Sequence, residues 1–181
     1  QVAEDFFRER GYFTQHNIKY RLKKGVHSDV DILAVHPKLR GRSSVVVASC
    51  KSWQGGLKVK QAVNVLTRNP RKIISGKEHW KAFRELTRKA WASALKKKVK
   101  ELTGQDTFTF YLVVTKYTGD KASWEDCKLF KKNLSGCDIK LVDMETMIHE
   151  LWKKLNTTPA HSELSRLLQL IKAGDGHISY T

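Results

Sequence analysis

Ser28-Asp29-Val30-Asp31-Ile32-Leu33-Ala34-Val35, followed shortly by Val45-Val46-Val47-Ala48-Ser49-Cys50-Lys51-Ser52-Trp53, is the stretch on which the fold turns. Both runs are rich in β-branched and apolar residues, which suit a buried pleated surface. Between them His36-Pro37-Lys38-Leu39-Arg40-Gly41-Arg42 is basic and turn-prone. Two neighbouring strands are expected. Asp31 inside the first and Lys51 closing the second are out of place there, because a charge on a buried strand needs a partner or a metal.

Side chains two apart on a strand share a face, about 6–7 Å apart, and neighbouring strands lie about 4.8 Å apart. Asp29 and Asp31 are therefore expected on one face, Ser49 and Lys51 on one face of the next strand, and Asp31 and Lys51 converge if the strands pair as a hairpin. An Asp carboxylate beside main-chain carbonyls is a hard oxygen site suited to Mg²⁺, which keeps several waters and takes substrate phosphate oxygens. A nearby Lys could orient the attacking water and steady charge developing on a phosphate. The plainer alternative is a strand-end ion pair between Asp31 and Lys51.

The charge balance points the same way. Thirty-four Lys and Arg against 18 Asp and Glu give the 181 residues a formal charge of +16, the footprint of a polyanion binder, with nucleic acid the first candidate. No run resembles a transmembrane helix, and without a lipidation motif acidic membranes rank second. Cys50, Cys127 and Cys137 have no zinc-ligand spacing and are read as reduced thiols in a cytoplasmic protein. No secretory leader opens the sequence, and its start at Gln1 leads us to expect further natural residues before it.

Working outward, residues 2–10 read as a helix ended by Gly11, and Tyr12–Leu22 as a turn and strand. Lys23 and Lys24 form a basic loop beside the acidic strand, and Trp53 is a core or rim aromatic. After Gln54-Gly55-Gly56, a helix over 58–66 carries Lys58, Lys60 and Gln61. From Ile73 to Leu102 one long helical pattern is expected, with Lys96, Lys97 and Lys98 near its end. It reads as a packed amphipathic helix with a solvated basic back, or as an arm tracking a phosphate backbone. Thr107–Thr115 is the strongest strand signal; a helix over 122–134, a strand over 139–142, a helix around 144–155 and a last helix over 163–173 follow. Strands first and alternation later predict an α/β fold with a mixed sheet flanked by helices.

Val30-Asp31-Ile32-Leu33-Ala34, then Val45 to Lys51 with Cys50 before the Lys and Trp53 just after it, resembles the core of the PD-(D/E)XK nuclease superfamily, in particular the Mrr-type restriction endonucleases and their Holliday-junction-resolvase relatives. Tyr111–Thr115 and Ile139–Asp143 resemble that family's later strands. The likeness covers roughly residues 1–155, read as one nuclease-like domain with a basic helical insertion near 73–103; residues 156–181 form a C-terminal helix and tail.

This resemblance implies a restriction-endonuclease-like fold and a DNA endonuclease dependent on Mg²⁺ or Mn²⁺. Asp31 and the Cys50 carbonyl would hold the metal, and Lys51 would position the water. Ser49 stands where the family has Glu or Gln, so Asp29 is a candidate substitute ligand. The family's helical Glu would fall at or before Gln1; Glu4, one turn later, is the candidate in its place, and Gln61 a candidate polar residue of the site. Lys23, Lys24, Trp53, Lys58, Lys60 and Lys96–Lys98 are candidates for contact with duplex or branched DNA, in a nucleoid-associated protein that would be a homodimer if it resolves junctions. The alternatives are a non-catalytic nucleic-acid-binding module on the same scaffold and an RNA-processing nuclease.

Overall fold

The computed structural model describes residues 1–22, 27–69, 71–74, 77–154 and 162–175. Its centre is a five-stranded mixed sheet in the order β1-β2-β3-β7-β9, built from β1 (Phe13–Arg21), β2 (His27–Val35), β3 (Val45–Lys51), β7 (Thr109–Val114) and β9 (Asp138–Asp143). β1, β2 and β3 pair antiparallel, whereas β3, β7 and β9 run parallel. Parallel strands need covered faces, and their sequences accordingly read as nearly unbroken apolar runs.

Alternation along β3 divides the core in two. Val45 and Val47 join one apolar cluster, Val46 and Ala48 the other. The first cluster is roofed by α2 (Val59–Arg68), α3 (Arg84–Thr87), α4 (Lys89–Thr103), α5 (Lys121–Glu125) and α6 (Lys128–Asn133), through residues such as Leu66, Leu86, Leu95, Trp124 and Phe130. The second is covered by α1 (Val2–Arg8), α7 (Met144–Lys154) and α8 (Glu163–Asp175), through Phe6, Phe7, Met147, Leu151 and Leu168. The result is a three-layer α/β sandwich. The C-terminal helix α8 belongs to it: Leu168 is buried, and Ser162 Oγ, just before the helix, donates to the buried Asp5 carboxylate at 2.6 Å.

Two helices differ from expectation. The single helical pattern over 73–102 is instead a hairpin of β5 (Ile73–Ile74) and β6 (Lys77–Glu78), a 3-10 turn over His79–Phe83, then α3, with α4 alone forming the long helix. Arg88 between α3 and α4 is extended (φ −129°, ψ 114°), which re-phases the chain so that Leu86, Trp91, Ala92, Leu95 and Val99 all enter one core. The segment is thus built into the sandwich, and Phe83 lies edge-on to both Trp53 (5.4 Å) and Trp124 (5.2 Å).

The helix expected over 122–134 is split at Asp126–Cys127. Core residues three apart drift by about 60° at each step around one α-helix. The break lets Trp124 and Phe130 both be fully buried, with ring centroids 4.9 Å apart. α1 stops at Arg8, and Gly11 turns the chain into β1 at φ +84°, where a Cβ would stand 2.9 Å from His36 Nε2.

Candidate active site

β2 is not a regular strand at Asp31. Val30 and Leu33 pack into the first cluster while Ile32 and Ala34 pack into the second, so the inside–outside alternation breaks between Val30 and Ile32. The β1–β2 ladder pairs His16 with Ile32 and Ile18 with Val30 but skips Asn17 and Asp31. Asn17 sits at φ +52°, a left-handed conformation that Asn tolerates better than most residues.

On its other side β2 leaves β3 after the Ile32–Ala48 pair, while β3 runs on to Lys51 beside Val114 of β7. The main-chain N–H of Cys50, facing the side that β2 has vacated, would be left without a ladder partner. The Asp31 carboxylate takes that place: Cys50 N–H donates to Asp31 Oδ2 at 2.6 Å. Main-chain N–H and C=O of one strand residue point to the same side, so the Cys50 carbonyl faces Asp31 as well. Burial, and then the Asp31 charge, push the Cys50 thiol up to about 11.

The Lys51 side chain is half-buried and makes neither an ion pair nor a hydrogen bond among the described residues, so the alternative of a strand-end ion pair with Asp31 does not form. Alternation puts Ser49 and Lys51 on the Val47 face of β3. Ser49 is buried, and its hydroxyl has no hydrogen-bond partner among the described residues.

The other candidates are dispersed. Asp29 is exposed, opposite Lys19. Glu4 lies on α1, on the far face of the sheet from Lys51, and is already engaged. Arg8 pairs with its Oε1, His16 Nε2 lies 2.7 Å away, and Thr14 Oγ1 donates at 3.2 Å. Burial alone would raise the Glu4 pKa, but His16, Arg8 and Thr14 together hold it below the usual value. Trp53 packs on Phe83 rather than standing free. Gln61 is exposed on α2 and lines an open depression of about 520 Å³ with Lys58 and Lys60. Lys96 Nζ donates to the Ser135 carbonyl at 2.9 Å and Lys98 pairs with Glu101 at 3.6 Å, while Lys97 is exposed. Lys23 and Lys24 lie outside the described residues.

Among the described residues no group of three His, Cys, Asp or Glu is placed to hold a metal ion. What the site offers is one carboxylate and one carbonyl, a pair of hard oxygens that suits Mg²⁺ when waters and phosphate oxygens complete the shell.

Two features carried no notice in the sequence. Glu85 is buried on α3, where it accepts from the Tyr20 hydroxyl and from Ser28 Oγ at 3.0 Å, tying the 73–103 segment to β1 and β2. In the sequence it follows Arg84 within a stretch that also holds Lys81, Arg88 and Lys89, where nothing distinguishes it from a surface charge. The depression also takes in Asn64, Lys72 and Thr118, which only the tertiary fold brings together.

Comparisons with family models, with curated proteins and with solved structures find no match to this chain. No helix among the described residues is long and apolar enough to cross a membrane.

Proposed function

We propose that this protein is a metal-dependent DNA endonuclease of the restriction-endonuclease-like fold, acting on duplex or branched DNA. The reading is carried by one observation: a half-buried carboxylate, Asp31, is fixed by the Cys50 N–H where two strands part, one residue from Lys51, whose side chain has no partner among the described residues. Unpaired half-buried charge is unfavourable in a merely structural role and useful where a phosphate must be met. The mixed sheet, with a strand-ending lysine beside a broken strand bearing an Asp, supports that reading of the fold, and the charge of +16 supplies attraction for the substrate.

Asp31 and the Cys50 carbonyl would hold Mg²⁺ or Mn²⁺, which when bound supplies charge neutralisation at the scissile phosphate. Asp31 itself contributes a carboxylate whose orientation is set by the Cys50 N–H rather than by a flexible side-chain partner. Lys51 would supply an ammonium, unspent on any carboxylate among the described residues, to the phosphate oxygen or the attacking water. Ser49 brings a hydroxyl and no charge. A second reading, a binding module without catalysis, is favoured by that same Ser49, since one carboxylate is a sparse metal site. Incubation of supercoiled plasmid, branched DNA and RNA with Mg²⁺ or with EDTA separates the two: cleavage of DNA only with the metal supports the enzyme, and binding without cleavage of any substrate supports the module.

A further inference from the structure

The depression beside α2 gathers Lys58 and Lys60 with Gln61 and Asn64 on one side, and Lys72 and Thr118 on the other, within about 520 Å³. Among the described residues no carboxylate lines it. Asp120, nearby in sequence, is turned into its own helix, where its carboxylate accepts from Ala122 N–H, Ser123 N–H and Ser123 Oγ. The side chains of Lys58, Lys60, Lys72, Gln61 and Asn64 are exposed and make no ion pair or hydrogen bond among the described residues. They contrast with Lys96 and Lys98, whose ammonium groups are already engaged. Ammonium groups gathered in a concavity without a counter-charge repel one another, and an anion relieves that repulsion while the amides and the Thr118 hydroxyl add hydrogen bonds.

Topology fixes where this cradle lies. Lys51 ends β3 beside Val114, the end of β7. Just beyond, β4 (Leu57–Lys58) and β8 (Tyr117–Thr118) pair in parallel, and Leu57 N–H donates to the Lys116 carbonyl at 2.8 Å. The depression and Lys51 therefore share the carboxyl edge of the parallel strands, the edge at which open α/β sheets receive their ligands.

We propose that this depression binds a backbone phosphate of the nucleic-acid strand that passes Lys51, as a register-setting contact separate from the reacting one. The proposal rests on the nucleic-acid side of the reading above and not on cleavage. Phosphate contacts of this kind position the strand without reading its bases, so the contribution is independent of sequence.

The test is the fluorescence anisotropy of a short labelled DNA duplex, titrated in EDTA over a series of salt concentrations so that no cutting intervenes. The variant combines Lys58→Gln, Lys60→Gln and Lys72→Gln, whose exposed side chains leave the melting temperature unchanged. The expected result is an affinity loss of about tenfold or more at low salt and a log–log salt slope shallower by about 1, the release expected from the one phosphate that the three lysines neutralise together. The matching triple change to Arg keeps the wild-type slope. A Gln variant with the wild-type slope overturns the proposal. It is overturned also if inorganic phosphate, at matched ionic strength, binds the wild type and not the Gln variant while the duplex slope stays the same, which would make the depression a site for small free anions. Because the titration is made in EDTA, its outcome does not depend on whether the protein cuts.

Discussion

Asp31 Oδ2 and the Cys50 main-chain N–H are joined at 2.6 Å across the gap where β2 leaves β3, so that a carboxylate stands in for the strand's missing carbonyl. The contact gives Asp31 a structural duty as well as a proposed chemical one, and the two are separable. Asp31→Ala leaves a half-buried N–H without its charged acceptor and is expected to lower stability by about 1.5–3 kcal/mol. Asp31→Asn keeps an amide oxygen in the same place and is expected to stay within about 1 kcal/mol of wild type. Urea denaturation of the three proteins measures both.

Lys51 is expected to behave in the opposite sense. It is half-buried with no partner among the described residues, so Lys51→Met removes a desolvated charge and keeps the packing of the stem. Stability should change by no more than about 0.5 kcal/mol, while cleavage falls by about 10²–10³-fold, the usual effect of losing one group that stabilises transition-state charge. Thermal melts alongside single-turnover cleavage rates test the split.

Glu4 makes a pH prediction. Its folded-state pKa lies below the ordinary 4.5 because His16, Arg8 and Thr14 outweigh burial. A carboxylate with a depressed pKa contributes stability that is present above its unfolded value and is lost as pH falls through the lower folded value. Glu4→Gln should therefore be less stable than wild type at neutral pH, and the difference should shrink once the pH drops below about 4.5 and vanish further down. Paired urea titrations at neutral and acid pH check the direction; a difference that grows on acidification contradicts it.

Glu85 fastens the 73–103 segment to the sheet through Tyr20 and Ser28. Burial, then the Glu85 charge, hold the Tyr20 phenol above its ordinary pKa, so the hydroxyl stays a donor across the working pH range. Glu85→Ala removes the carboxylate that two buried hydroxyls share and is expected to cost about 3 kcal/mol; Tyr20→Phe, which leaves Ser28 on the carboxylate, about 1–2 kcal/mol. Denaturant midpoints should keep this order.

Much of the sheet was legible because its strands are written in β-branched runs: Val45–Val47, Leu112–Val114 and Ile139–Val142 fall on observed strands. The 73–88 region was not. Trp80, Phe83 and later Trp91 and Leu95 satisfy a helical period, and Ser75-Gly76, a turn dipeptide, is a weaker sign than those aromatics. At the site, neighbouring strands and the positions of Asp31 and Lys51 could be read. The partner of Asp31 could not, because it is a main-chain N–H, which carries no mark in the sequence. The period-two argument that set Asp29 beside Asp31 assumes a regular strand, and the switch of face between Val30 and Ile32 removes that premise. Glu4 was placed by helix position alone, whereas its neighbours Thr14 and His16 arrive on β1 through tertiary packing.

The most direct measurement of the central claim is cleavage of supercoiled plasmid by wild type, Asp31→Asn and Lys51→Met, each with Mg²⁺, with Mn²⁺ and with EDTA, on proteins shown by melting to be folded. Wild type is expected to nick or linearise the plasmid only with the metal, and both variants to lose about a hundredfold or more. Undiminished cutting by the two variants, or a folded wild type that binds the plasmid and cuts with neither metal, would contradict it.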